Sequence, residues 1–286
     1  MKHTTAPLQR ETVESVGTRV VYADGHAEIS RARLLREHTL DLVVNLRHLA
    51  RLICTGEELR CLAAGFLYTE RIIDSVEEIE GFYLCPDGYT ARIFLTKQLE
   101  AMDATRTDKS CCTKNRLLLD VAGKRPLRLV EDRSGWTDAD IFRLAARFRE
   151  RMPLHTETES THCCFLLYQG KIVFACEDIG RHNALDKAVG FALQNGIPLP
   201  ECVAYTSGRV PVDMAEKAVA AFLPVLVSKA TPTVESVALA QEYGLTLICR
   251  AWEDRYEMVS SGRTVSVGLL PQNMCGTASE ECRRTK

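Results

Sequence analysis

The chain has 286 residues, a formal net charge of −2 and 46% hydrophobic residues. This length and apolar content suit one large or two ordinary globular domains. The near-neutral charge gives no general attraction to nucleic acid or to an anionic membrane, so no partner of either kind is expected. The first residues lack a signal-peptide core and no apolar stretch reaches membrane-spanning length, so we expect a cytoplasmic protein.

Twelve cysteines in a chain without an export signal are expected to be reduced thiols. Those inside apolar runs behave as small hydrophobic residues and need no special role. The remaining candidates for chemistry are Cys85, Cys111, Cys112, Cys163 and Cys164.

The first part of the chain predicts a small α+β unit. Residues 39–45 and 48–54 form a predicted hairpin, and Thr55 with Glu58 has the spacing of a capping box that would start a helix. A second predicted hairpin pairs residues 82–85 with 89–95. We assign residues 1–116 to this N-terminal part.

A long polar loop, residues 97–116, ends that part and contains the adjacent Cys111 and Cys112. Lys109, Lys114 and Arg116 are close in sequence, and nearby cations favour a thiolate over a thiol. A reactive thiol is therefore predicted, with a metal site or an incidental pair as the alternatives. Adjacent cysteines lack the separation that is common in zinc sites.

Residues 117–270 predict an α/β part, followed by a flexible tail over residues 271–286. Thr137 and Asp140 cap a predicted helix, and residues 165–168 and 171–176 form a predicted hairpin. His155 and Glu157 match half of a zinc-deaminase signature, but its P-C-x-x-C partner is missing from the chain.

The most informative segment is Glu177-Asp-Ile-Gly-Arg-His-Asn-Ala-Leu-Asp-Lys-Ala-Val-Gly190, which follows a predicted buried strand. Asn183 and Asp186 resemble a capping box, which predicts that the helix starts at Asn183 and that Arg181 and His182 lie in the turn before it.

Two more strand–turn–helix units follow, with strands at 202–205 and 225–227 and helices at 212–223 and from Thr231 as N-cap to residue 243. A last strand is predicted at 245–248. Alternating strands and helices predict a parallel sheet, whose turns then share one edge.

These turns would place polar and cationic side chains along one crevice, the usual ligand position in open α/β sheets. Phosphate or pyrophosphate is the expected ligand, although neither GxGxxG nor a Walker A sequence is present. The alternative is that the cations are solvated and that His182 is a capping or core residue. The predicted crevice residues are Asp178, Arg181, His182, Ser207, Arg209, Ser228 and Lys229.

The segment 177–190 resembles the signature of the FdhD family of formate dehydrogenase accessory sulfurtransferases. Weaker matches occur in the family's order at Thr161-His162, Ser207-Gly208-Arg209, Thr231-Pro232-Thr233 and Asp254-Arg255. The resemblance implies a cytidine-deaminase-like α/β fold with a parallel or mixed sheet and flanking helices, no protein-held metal, and a homodimer. It further implies that sulfane sulfur from a cysteine desulfurase is carried as a cysteine persulfide. The sulfur is then passed to the bis-molybdopterin guanine dinucleotide molybdenum cofactor for formate dehydrogenase.

The resemblance also assigns residues. Cys111 matches the first cysteine of the family's C-x-x-C loop and Lys114 stands at the second, so Cys111 is the expected persulfide carrier and Cys112 the fallback. The guanine nucleotide part of the cofactor would meet the crevice and the six residues after the last predicted strand. Those six residues are Arg250, Ala251, Trp252, Glu253, Asp254 and Arg255.

Two other functions stay open at this point. One is a cofactor-binding chaperone whose cysteines are incidental. The other is a zinc hydrolase built on His155, Glu157 and the cysteines at 163 and 164.

Overall fold

The computed structural model describes residues 12–99, 116–117, 124–150 and 152–262. It begins with an antiparallel hairpin of β1 (Val13–Val21) and β2 (Ala27–Leu35), which form a sheet of their own. Most of their side chains are exposed on both faces. This hairpin was not predicted, because a strand without a buried face carries no apolar alternation.

A five-stranded sheet follows, in the order β5-β6-β3-β4-β7. Its strands and the helix that packs on it confirm both predicted hairpins and the helix between them. The elements are β3 (His38–Val44), β4 (Arg47–Cys54), α1 (Leu59–Thr69), β5 (Ile79–Leu84), β6 (Thr90–Leu95) and β7 (Arg116–Leu117).

Five helices follow β7 in the described part of the chain: α2 (Asp138–Glu150), α3 (Pro153–Thr158), α4 (Arg181–Gln194), α5 (Val212–Ala220) and α6 (Val234–Tyr243). The predicted cap of α2 is confirmed, since the Thr137 hydroxyl and amide both donate to Asp140 Oδ2, at 2.8 and 2.9 Å. Among the described residues, no helix combines the length and apolar character needed to cross a membrane.

The second large sheet has six strands in the order β13-β12-β11-β10-β8-β9. The strands are β8 (His162–Tyr168), β9 (Lys171–Asp178), β10 (Cys202–Thr206), β11 (Val225–Ser228), β12 (Thr246–Cys249) and β13 (Glu257–Ser260). Helix α2 packs on one face of this sheet, and α4 and α5 pack on the other.

The six-stranded sheet is mixed rather than parallel. Strands β10, β11 and β12 are parallel, but β8 lies antiparallel between β9 and β10. Because β8 opposes both neighbours, β9 runs in the same direction as β10. The carboxyl ends of β9 to β12 therefore share one edge, as predicted, and the mixed α/β fold with flanking helices is confirmed.

Two predicted helix starts are wrong. Helix α4 begins at Arg181 and not at Asn183, so Arg181 and His182 lie in its first turn. Asn183 does not cap the helix, because its buried amide donates to Ile53 O at 2.7 Å and to Asp178 Oδ1 at 2.8 Å. Helix α6 is capped by Thr233, whose hydroxyl accepts from Ser236 N at 3.2 Å.

The predicted Thr55–Glu58 capping box is also absent. Thr55 is fully buried, its amide donates to Asp178 Oδ2 at 3.1 Å and its hydroxyl donates to Glu177 O at 3.1 Å. Glu58 instead sits at the N-cap in the left-handed conformation. Thr55 thus joins the end of β4 to the end of β9.

A buried ion pair completes this junction. Lys187 Nζ lies 2.6 Å from Asp178 Oδ2, and both side chains have no exposed surface. The same ammonium donates to the Thr55 hydroxyl at 2.7 Å. Burial alone would lower the pKa of Lys187, but Asp178 raises it above its ordinary value, so the ammonium stays charged.

Helices α1 and α4 cross at two glycines. A Cβ atom on Gly65 would lie 1.8 Å from Asp186 O, and one on Gly190 would lie 1.9 Å from Cys61 O. Asp186 also faces Lys217 of α5, with Nζ to Oδ2 at 3.0 Å. No side chain larger than hydrogen fits at this crossing without moving a helix.

One hydrophobic core runs through both predicted parts of the chain. It includes Leu40 and Leu62 from the first part and Leu185, Val219 and Leu247 from the second. The proposed boundary at 116 and 117 stays a prediction, but the two sides of it are not packed as independent cores. The predicted tail at 271–286 lies outside the described residues.

We expect Lys187→Met to lower the free energy of unfolding by about 3–5 kcal/mol, because it leaves the Asp178 carboxylate buried without its cation. Urea denaturation followed by circular dichroism measures the loss. Lys171→Met, at an exposed position of β9, is the matched control and should change stability by less than about 0.5 kcal/mol. Equal stability of the two variants would contradict this role for the pair.

Candidate functional site

The candidate site is the sheet edge where β9, β10, β11 and β12 end and β8 begins. We call it the crevice and define it by Arg181, His182, Ser207, Arg209, Ser228 and Lys229. Each of these residues lies at the end of a strand or in the loop or helix that follows it. The shared edge results from the strand directions, so these residues converge although they are distant in sequence.

Arg181 and His182 reach the crevice from the first turn of α4. The side chain of Arg181 packs on Gly208, where an added Cβ would lie 2.8 Å from Arg181 Cβ. Glycine at 208 therefore makes room for the arginine stem. The stem of Arg181 is thereby held at the first turn of α4, where the positive end of the helix dipole also favours an anion.

His182 is almost fully buried and faces Asp213 in the first turn of α5, with Nε2 3.0 Å from Oδ2. Burial would raise the pKa of Asp213, but the hydrogen bond and charge of His182, with Arg181, hold it below its ordinary value. Asp213 is therefore an anion that fixes one ring nitrogen of His182. The contact with Asp213 was not predicted from the sequence, because His182 and Asp213 are distant in the chain and meet only in the folded protein.

The two crevice serines shape the loops. Ser207 Oγ accepts from Cys163 N at 3.0 Å, which ties the end of β10 to the start of β8. Ser228 is buried, donates to Gly208 O at 2.7 Å and accepts from Ala230 N at 2.9 Å. Both hydroxyls hold the backbone that carries the cations.

Lys229 lies between two aromatic rings. Its Nζ is 4.3 Å from the ring centre of Phe148 and 5.2 Å from that of Trp252. Cation–π attraction of this kind holds an ammonium without neutralising it. Trp252 is 43% exposed, so one aromatic surface stays accessible beside the cation.

The six residues after β12 divide between the crevice and its surroundings. Trp252 contacts Lys229, and Ala251 is buried with its amide donating to Ser228 O at 3.0 Å.

The other residues of this segment lie away from the crevice or are exposed. Arg250 pairs with Glu257, at 2.8 Å. Asp254 and Arg255 pair with each other at 3.0 Å and are exposed, as is Glu253. Arg209 is exposed at the end of its loop.

A histidine that sequence reasoning did not place in the site belongs to its electrostatics. His162 is half-buried at the start of β8, and its pKa is lowered by burial and by the positive charges of Arg181, His155 and His182. It is therefore neutral near pH 7. The only sequence signal was its place in the Thr161-His162 match.

Glu177 holds His155 close to His162. Its carboxylate accepts from the amides of Leu154 and His155 at 3.0 and 2.7 Å, and from the Thr161 hydroxyl at 2.9 Å. The acid at the end of β9 thus caps α3 and positions the loop that leads to His162.

The zinc-hydrolase residues do not converge. Glu157 pairs with Arg33 of the N-terminal hairpin at 2.7 Å, on the outside of α3. Cys163 and Cys164 are fully buried in the two opposite hydrophobic clusters. Among the described residues, no group of three or more His, Cys, Asp or Glu side chains is placed to hold a metal.

The buried thiols among the described residues are poor nucleophiles. Seven of them are buried, and burial raises their pKa, to about 12 for Cys163 and Cys249. Cys85 is half-exposed. The predicted carriers Cys111 and Cys112 lie outside the described residues.

Fold and crevice together define a mixed α/β protein with a cationic, aromatic-lined site at the carboxyl edge of its sheet. The sequence profile of the FdhD/NarQ family matches residues 35–265. This match covers most of the chain, and the chain belongs to that family.

Two curated relatives and one solved structure agree with this assignment. The sulfur carrier protein FdhD of Halalkalibacterium halodurans is 30% identical over 227 residues, which cover 75% of this chain and 81% of the relative. The sulfur carrier protein FdhD of Streptomyces avermitilis is 31% identical over 250 residues, covering 79% and 86%. A crystal structure of a protein assigned as a formate dehydrogenase accessory protein from Desulfotalea psychrophila has a TM-score of 0.68 at 22% identity. It covers 87% of this chain and 97% of that one, and it supports the fold.

We expect Arg181→Gln to raise the pKa of His162, because Arg181 is the largest charge that lowers it. A pH titration of the imidazole signals by NMR measures the change. Arg209→Gln removes an exposed cation of the same crevice and should leave the pKa of His162 unaltered. Should both variants shift His162 equally, the effect would come from net charge and not from the position of Arg181.

Proposed function

We propose that this protein is a sulfur carrier for formate dehydrogenase. It takes sulfane sulfur from a cysteine desulfurase as a persulfide on Cys111. It then passes that sulfur to the bis-molybdopterin guanine dinucleotide molybdenum cofactor, which is its substrate. The observation that carries the proposal is membership of the FdhD/NarQ family, with curated relatives that are sulfur carrier proteins.

The first transfer is a thiol–persulfide exchange. The Cys111 thiolate attacks the outer sulfur of the desulfurase persulfide, a new S–S bond forms on Cys111, and the desulfurase thiolate leaves. Electrons balance within the exchange and no external oxidant is needed. In the second transfer the electron pair of the new S–S bond returns to Cys111, which is restored as a thiolate. The outer sulfur is taken up by the molybdenum of the substrate, which supplies the two electrons that reduce sulfane sulfur to sulfide.

The distribution of thiols supports a carrier in the cysteine loop. The buried cysteines have raised pKa values and cannot be reached by a partner enzyme. Cys111 has Lys109 and Lys114 nearby in sequence, and such cations favour the thiolate. Cys112 remains the fallback, because Lys114 replaces the second cysteine of the family's loop.

The crevice supports an anionic, aromatic substrate. Arg181, Arg209 and Lys229 supply positive charge, and the exposed ring of Trp252 offers a surface on which a planar base could stack. The guanine dinucleotide part of the cofactor carries both phosphates and a planar base. The proposal includes a cytoplasmic homodimer, as the resemblance implies.

A cofactor-binding chaperone uses the same crevice without the thiol. It differs from the carrier in one respect, since it has no need of Cys111. The zinc hydrolase is not proposed, because its residues diverge among the described part of the chain.

We expect Cys111→Ser to abolish both persulfide formation and maturation of formate dehydrogenase, because serine cannot hold sulfane sulfur. Mass spectrometry of the protein after incubation with desulfurase and cysteine locates the added sulfur. Cys112→Ser is the matched control and should keep both properties. Maturation by the Cys111→Ser protein would favour the chaperone, and loss in Cys112→Ser alone would transfer the role to Cys112.

We expect GDP to bind the crevice and Arg181→Ala to weaken binding about tenfold or more, since charge-assisted phosphate contacts contribute about 1.5–3 kcal/mol. Isothermal titration calorimetry measures the affinity, which should fall as salt rises. Arg128→Ala, an exposed cation outside the crevice, is the control and should bind like the wild type. If both variants bind GDP equally well, the crevice is not the nucleotide site.

A further inference from the structure

A second concave surface lies away from the crevice, between strand β9 and helix α2. This groove has a volume of about 690 Å³, within the range of ligand-binding sites. One wall is a continuous stretch of chain, residues 170–175. The other wall is one face of α2, formed by Arg143, Ala146, Arg147 and Glu150.

The strand wall is the edge of the six-stranded sheet. Strand β9 pairs with β8 on one side, and no described strand pairs with its other side. An edge strand presents unpaired backbone N–H and C=O groups, which can pair with an additional strand. The register of β8 and β9 shifts beside Val173, a bulge of the kind found at sheet edges and beside binding sites.

The groove is cationic. Arg143, Arg147 and Lys171 line it, and Glu150 is the one acid among the groove residues. Arg143 is held at one end by Asp140, at 3.1 Å, and by the carbonyl of Gly170. Arg147 is half-buried and Lys171 is exposed, and neither forms an ion pair with another described residue. Two cations are thus available to a ligand along the length of the groove.

We propose that this groove binds an acidic, extended segment of a partner protein, which lies along β9 and is covered by α2. A trough between an edge strand and a helix is a known geometry for peptide recognition by strand addition. The backbone of β9 would pair with the segment, and Arg147 and Lys171 would select acidic side chains. The apolar side chains of Ile172 and Ala175, on the α2 side of β9, suit an apolar side chain of the segment.

A small anion does not account for this shape. A free phosphate needs one compact set of donors, whereas the groove runs along five residues of strand, the glycine before them and two turns of helix. Charge complementarity and length together favour a peptide. This surface is separate from the crevice, and the inference does not rest on the sulfur-carrier proposal.

The test uses the full chain and a fluorescein-labelled peptide of alternating Glu and Val, about six residues long, the usual length of a strand. Fluorescence anisotropy measures binding, and a peptide with Gln in place of Glu is its control. The Arg147→Glu/Lys171→Glu double variant should bind the acidic peptide about tenfold more weakly or worse, since like charges now face each other. Arg31→Glu/Arg128→Glu changes the net charge equally at exposed positions outside the groove and should bind like the wild type.

A second measurement locates the peptide. Hydrogen exchange should slow at the amides of β9 when the acidic peptide is added and stay unchanged with the Gln peptide. Undetectable binding, equal weakening in both double variants, or slowed exchange elsewhere would overturn the proposal. A peptide that dissociates an oligomer of this chain would also overturn it, because the groove would then be a contact between copies.

Discussion

The buried contact of Asp178 with Lys187 is the interaction on which the rest of the molecule depends. It lies where β4 and β9 end and α4 begins, and Thr55 and Asn183 add hydrogen bonds to the same carboxylate. An ion pair without solvent is stable only when its remaining polar atoms are satisfied, as they are here. The junction therefore fixes the five-stranded sheet against the helix that presents Arg181 and His182.

The segment 177–190 thus has two functions that its sequence does not separate. Asp178, Asn183, Lys187 and Gly190 hold α4 against β4 and α1, whereas Arg181 and His182 face the crevice. A sequence that matches residues 177–190 is therefore expected to pack α4 against α1 in the same way, and not only to present the same ligand-binding side chains. Arg181 is held precisely, because it stands on a helix whose first turns are fixed by these buried contacts.

The sequence predicted what depends on local pattern. The hairpins, the strand–turn–helix units and their common edge follow from apolar periodicity and from Gly and Pro positions. Thr55 and Asn183 were predicted as helix caps, but both form hydrogen bonds to residues distant in the chain instead. Thr55 bonds to Asp178 and Asn183 bonds to Ile53. The pairing of His182 with Asp213 and the position of His162 were equally invisible, since only the tertiary fold brings their partners near.

The crossing of α1 and α4 at Gly65 and Gly190 has a consequence during synthesis. Helix α1 is made early, but its close-fitting partner α4 follows only after residues 97–116, α2 and the β8–β9 hairpin. Contacts of such long sequence separation form slowly, and an emerging chain cannot make them until the second partner has left the ribosome. The surface of α1 that meets α4 therefore stays uncovered on the nascent chain until α4 has emerged, and chaperones can bind it in that interval.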